Sequence, residues 1–170
     1  DARLQPDTLT PLALSVIANT HGTVIGKGRI DWTPDAVTST GSFTTDGLDF
    51  AAAFGPVRGL SGTVNFTDLL GLTTAPDQRL KIAAINPGIE VADGVMSFDL
   101  HPDALLVVNG ASWPFLDGKL RLLPTSMVLG AAEERRFELQ VEGVESARFI
   151  EKMELANLLA TGKFDGTLPL

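Results

Sequence analysis

Few side chains in this 170-residue chain have the types and spacing that chemistry needs. His21 and His101 are the only imidazoles, each in a turn-like stretch. A histidine metal site would require both to converge with carboxylates; surface turn residues are the simpler reading, and no metal ligand is assigned. Asp117 in "LDGKL" and Asp165 in "KFDGTL" each precede a glycine. Paired acids can hydrolyse glycosides, yet Asp-Gly is first of all a favoured hairpin connection. "GKGRID" offers Gly26 and Gly28 but neither the third glycine nor the following helix of a dinucleotide loop. Two glycines there relieve crowding on a bent strand. No Gly-x-Ser-x-Gly elbow occurs. The absence of cysteine removes disulfides, thiolate metal sites and thiol nucleophiles. "EERR" at 133–136 solvates a loop tip, and the sequon at Asn65-Phe66-Thr67 is too common a match to carry weight. Trp32 and Trp113 could stack on a sugar or sit at a lipid interface, although buried sheet aromatics are the commoner case. No catalytic constellation emerges, so the chain is read as a non-enzyme without cofactor.

Composition narrows the partners. Lys plus Arg number 13 against 21 Asp plus Glu, a formal charge of -8. A nucleic-acid binder needs a cationic face, so that class is set aside. Hydrophobic residues make up 44%, but no stretch approaches the ~18 apolar residues of a membrane helix. The length suits one domain or a few units of a repeating array. The chain opens on Asp1 and closes on Leu-Pro-Leu in mid-alternation, as expected of a segment of a longer polypeptide.

The elements that must carry these residues are strands. In "TVIGKGRIDW", Val24, Gly26, Gly28, Ile30 and Trp32 share one face and Lys27, Arg29 and Asp31 the other. The same split sets Leu80 and Ile82 against Arg79 and Lys81, and Met96, Phe98 and Leu100 against Ser97 and Asp99. It recurs with Leu120 and Leu122 against Lys119 and Arg121, then with Phe137, Leu139 and Val141 against Glu138, Gln140 and Glu142. Such alternation predicts antiparallel sheet with one solvated face. Leu105 to Val108 are apolar on both sides, as where something covers the outer one. Turn signals fall at Asn19 to Gly22, Thr33-Pro34-Asp35, Asp46-Gly47, Asn86-Pro87-Gly88, Asp93-Gly94, Pro102-Asp103 and Asp117-Gly118. They separate about ten strands or more. "SARFIEKMELANLL" predicts one helix, with Ser146 as cap and Phe149, Ile150 and Met153 at helical spacing. Shorter helical turns are conceivable at 48–54 and 68–72.

Many strands with an apolar face and one short helix pose a physical problem, because the helix cannot cover them all. The sheet must close as a sandwich or barrel, or keep an apolar trough for a ligand.

From about Val57 to Leu170 an ordered series of motifs chooses between these. It runs "GPVRGLSGTVNFTDLLGLTTAPDQRLKIAAINPGIEVADGVMSFDL", then "GASWPFLDGKLRL", then the helix and "ATGKFDGTLPL". The series resembles the YdbH family of bacterial envelope proteins, AsmA-like members of the repeating β-groove class. Gly59, Gly62, Leu69, Thr74, Pro76, Gln78, Asn86 to Gly88, Trp113, Gly118, Gly162, Gly166 and Pro169 stand at matching places, while Asp117 replaces an expected glycine. Residues 1–56 match through strand alternation alone. The resemblance implies a mainly β fold, a long curled antiparallel sheet with one short α-helix near the C-terminus, and residues 1–170 as a single β-groove segment. It implies a periplasmic place in a parent protein anchored in the inner membrane, with membrane components at the missing ends. The partner would be phospholipid, its acyl chains lying on Val24, Ile30, Trp32, Val64, Phe66, Leu80, Ile82, Met96, Phe98, Leu100, Leu120, Leu122, Phe137, Leu139 and Val141. Packing of some of these into a dry core is the competing expectation. Two other functions stay open: an envelope scaffold whose free strand edges self-associate or pair with clients, and a carbohydrate-binding β-sandwich.

Overall fold

The computed structural model describes residues 17–52, 55–131, 137–152, 154 and 157–169. Its strands are β1 (Ile17–Gly22), β2 (Ile25–Trp32), β3 (Val37–Ala52), β4 (Gly55–Asp68), β5 (Thr73–Thr74) and β6 (Gln78–Ile85). They continue with β7 (Val91–His101), β8 (Leu105–Phe115), β9 (Gly118–Leu122), β10 (Thr125–Val128), β11 (Glu138–Glu145) and β12 (Lys163–Pro169). All join one 12-stranded sheet in the order β1-β3-β4-β6-β7-β8-β9-β11-β12, with β2 beside β3, β5 beside β4 and β10 beside β8. Every pairing is antiparallel, and the path ends on β1 and β12 without closing. The described strands thus form neither a barrel nor a two-sheet sandwich.

Period-2 patterning makes these strands and fixes their register. In β6, Gln78, Leu80 and Ile82 are buried and Arg79 and Lys81 exposed. Residues opposite each other in an antiparallel pair lie on one face, so the apolar set can be followed across the sheet. Leu80 opposes Gly62 and Met96, Met96 opposes Ala111, Ala111 opposes Leu122, and Leu122 opposes Leu139. Two residues along each strand, Ile82 opposes Leu60 and Gly94, while Trp113, Leu120 and Val141 form the same row farther on.

The buried core contains Val57 from β4, Trp113 from β8 and Val144 from β11 in one cluster. Side chains buried this deeply on one face of a single open sheet, with one short helix beside it, require the sheet to curl that face inward. Each large apolar side chain buried there contributes about 1.5–3 kcal/mol. At the β11 end the helix α1 (Ser146–Lys152) adds Phe149, edge-on to Phe164 of β12 at 5.1 Å between ring centres. The helix is shorter than the sequence pattern: Glu154 and Asn157 beyond it have positive φ, and Met153, Leu155 and Ala156 lie outside the described residues.

Several turn signals are instead strand irregularities. Asn19 sits at a register break in β1, Asp46-Gly47 at one in β3, and Asp93 has φ +59 inside β7. Residues that tolerate left-handed backbone serve kinks and bulges as well as turns. The segment 48–52 is strand, not helix, and 69–72 is a hydrogen-bonded turn. Asp117 does form the expected hairpin: Leu116 and Asp117 have φ +46 and +63 between paired Phe115 and Gly118. That is a type I′ connection made without glycine at its centre. Residues 132–136, with "EERR", lie outside the described set.

Candidate functional site

A largely apolar face runs from β2 to β11, with Ser39, Thr45 and Gln78 set into it as buried polar residues. Gly26 opposes Phe43, which opposes Val64; Gly28 opposes Gly41, which opposes Phe66. Ile30 and Trp32 lie on the face of Gly28, and Val64 and Phe66 on that of Gly62, hence of Leu80 and the core rows. The strand-borne residues expected to line a groove therefore share one face, and the state of that face changes along the sheet.

At the β6–β11 end the molecule fills it with its own side chains. Leu80, Ile82, Phe98, Leu120, Leu139 and Val141 are buried. Val64, Phe66, Met96, Leu100, Leu122 and Phe137 are half-buried around them. At the β2 edge the face is uncovered: Val24 and Ile30 are exposed, and Trp32 is 74% exposed. For the buried six, the competing expectation of a dry core describes their packing.

Three residues of the open end were not among those expected to line a groove. Val37 opposes Trp32 and is exposed. The ring of Phe43 occupies the space that a side chain at Gly26 would need, 2.1 Å from an added Cβ, and meets Phe66 edge-on at 5.7 Å. Leu69 lies over Gly28 and Gly41, 2.9 and 3.2 Å from added Cβ atoms. Paired glycines opposite large apolar side chains were the available signal for Phe43. Leu69 reaches this place from a turn, which strand periodicity does not register.

That turn is pinned to β3. The Ser39 hydroxyl donates to Asp68 Oδ1 at 2.6 Å and accepts from the Leu70 N–H at 2.9 Å, and the Gly71 N–H donates to Asp68 Oδ1 at 3.0 Å. The Ser39 bond foremost, and then the Gly71 N–H, hold the Asp68 carboxyl below its ordinary value.

The opposite face is mainly polar, with Ile25 and Val95 exposed on it. Lys27, Arg29, Thr40, Thr44, Thr63, Arg79, Lys81 and Arg121 project there, with Thr44 and Thr63 hydroxyls bonded at 2.8 Å. Surface ion pairs lace it, among them Arg29–Asp31, Arg79–Asp77 and Arg121–Glu142.

The candidates for chemistry do not assemble. His21 in β1 and His101 at the end of β7 have β3, β4 and β6 between them. Among the described residues no group of three or more His, Asp or Glu is placed to hold a metal ion. Asp117 pairs with Arg148 at 3.1 Å, and Asp165 accepts the Gly143 N–H at 2.6 Å. Both carboxylates serve backbone or surface architecture. Trp113, 3% exposed, has no face free for a sugar. No helix among the described residues is long and apolar enough to cross a membrane.

Comparison with known proteins bears on this face. A family model described as YdbH-like, "Intermembrane phospholipid transport protein YdbH", matches residues 1–170, the whole chain. Neither the curated proteins nor the solved structures give a match.

Proposed function

The chain belongs to the YdbH-like family of intermembrane phospholipid transport proteins, and from that premise we propose that its apolar sheet face carries phospholipid acyl chains while the headgroup stays in solvent. The observation behind the reading is a largely apolar face that spans the sheet and on which Ile30, Trp32 and Val37 stand exposed at the β2–β3 end. An acyl chain in water costs about 0.8 kcal/mol per exposed CH₂. A tail laid against Ile30, Trp32, Val37 and Phe43 recovers part of that cost, and a succession of such surfaces lowers the barrier to crossing an aqueous gap. No catalytic residue is needed, and selectivity among headgroups is weak because the wall reads apolar length. In this reading residues 1–170 are one β-groove segment of a longer protein, in the periplasm, with an inner-membrane anchor and membrane components at its ends.

Organic extraction of the purified chain followed by lipid mass spectrometry tests the proposal. Recovered glycerophospholipid is the expected result; folded protein that neither retains nor takes up labelled phospholipid would overturn it. A second reading, an envelope scaffold, draws on the outer edges of β2 and β12, which no strand among the described residues pairs. It predicts edge-dependent self-association and no extractable lipid.

A further inference from the structure

On the polar face, opposite the acyl-chain surface and independent of it, lies a depression of about 470 Å³. Its floor holds Ser97 of β7 opposite Gly110 of β8 and, two residues along, Ser112 opposite Val95, with Leu122, Leu123 and Pro124 also in the lining. Arg79, Lys119 and Arg121 surround it, with Asn109 beside Gly110. No carboxylate lines it, in a chain where acids outnumber bases 21 to 13.

The nearby acids leave much of this donor set free. Asp77 takes Arg79 Nη2 at 2.9 Å and Glu142 takes Arg121 Nη1 at 3.1 Å, each one contact on a guanidinium with five N–H donors. Asp99 takes the Asn109 amide at 2.7 Å. Lys119 and the Ser97 and Ser112 hydroxyls have no side-chain hydrogen-bond partner among the described residues. Two guanidinium groups, an ammonium and two hydroxyls gathered in one depression match the oxygens of a phosphate.

We propose that this depression binds a phosphate group. The group comes either from a headgroup in an intact bilayer, whose tails stay in that bilayer, or from a soluble phosphate.

The whole 170-residue chain is tested at low ionic strength, where exposed charges are least screened. It is sedimented with vesicles of phosphatidylglycerol and phosphatidylcholine, and separately titrated with inorganic phosphate while the amide resonances of Ser97, Gly110 and Ser112 are followed. Binding is expected to weaken about tenfold or more in the combined variant Arg79→Gln, Lys119→Gln, Arg121→Gln. Ser112→Glu, a single exposed change that sets a carboxylate on the floor, is expected to act alike, and circular dichroism verifies the fold of each. Lys27→Gln with Arg29→Gln, on the same face but outside the depression, is expected to bind as the parent does. Vesicle binding without phosphate binding identifies a bilayer headgroup as the source, and the reverse identifies a soluble phosphate; either supports the site. No binding to either probe, or equal loss in the Lys27/Arg29 control, overturns it.

Discussion

Trp113 lies deep in the core, and its indole Nε1 is buried without a hydrogen-bond partner. A buried unpaired donor costs about 1–3 kcal/mol, and the ring is kept where it is by close fit. An added Cβ at Gly94 would come within 2.0 Å of that nitrogen. Gly94→Ala is therefore expected to destabilise the fold by about 1–3 kcal/mol through overpacking, read as a lower urea midpoint. An unchanged midpoint would mean that the indole has room to move. Trp113→Phe sheds the unpaired N–H along with some volume, and the two effects oppose each other. Its expected cost stays within about 1 kcal/mol, against about 2–5 kcal/mol for Leu120→Ala in the same cluster. Equal losses in the two variants would show that the N–H is satisfied after all, for instance by water.

One device recurs where the strands kink. Asp49 Oδ1 accepts the N–H of Gly59 at 2.7 Å, Asp165 Oδ1 that of Gly143 at 2.6 Å, and Asp99 Oδ1 that of Asp77 at 2.5 Å. All three donors have left-handed backbone, with φ of +62, +61 and +58. A carboxylate on the neighbouring strand thus takes up an N–H that the irregular ladder leaves over. Gly143 has nothing within 4 Å of an added Cβ, so Gly143→Ala costs only the backbone preference, about 1–2 kcal/mol. Gly59→Ala also meets Ala83 Cβ at 2.6 Å and is expected to cost more; the reverse order of melting temperatures would disprove the account. Asp99, held low by Asn109 first and then by the Asp77 N–H, and Asp68, held low by Ser39, share a pH signature. A carboxyl whose folded value lies below its unfolded one, about 3.9, adds stability that is complete above that pH. The contribution fades as pH falls through the folded value. Urea midpoints are expected to drop from pH 7 to pH 3, and to drop less in Asp99→Asn. Strand positions were legible from alternation, as in "QRLKIAA", because one solvated face writes period 2 into the sequence. The kinks were not, since Asp46-Gly47 and Asp93-Gly94 carry the same residue types as the true hairpin at Asp117-Gly118. Whether such a pair turns the chain or bends it depends on the strand lying opposite.

Over the whole molecule the same alternation has two fates, which is why the candidate site was only half legible. Trp32 and Trp113 look alike in sequence, each in an apolar-polar strand, yet one is 74% exposed and the other 3%. Local pattern states which side chains share a face; the long-range curl of the sheet decides where that face is filled. The fold is accordingly graded, from a packed end at β6–β11 to β2, whose residues are all exposed and which among the described strands pairs with β3 alone. Amide exchange in β2 is expected to be faster than in β6 and β8, where each strand is flanked on both sides; equal protection would rule out the gradient. Under the proposed function, the open end of the gradient is where lipid is met first. In a Trp113→Phe background Trp32 is the sole indole, and its emission reports whether water or hydrocarbon surrounds the β2 edge. Adding a short-chain phospholipid below its micelle concentration is expected to shift that emission to the blue, and Ile30→Ser, on the same face, to reduce the shift. Lipid that co-purifies while Trp32 remains water-exposed would place the tails elsewhere and remove the open end of the sheet from the proposed path.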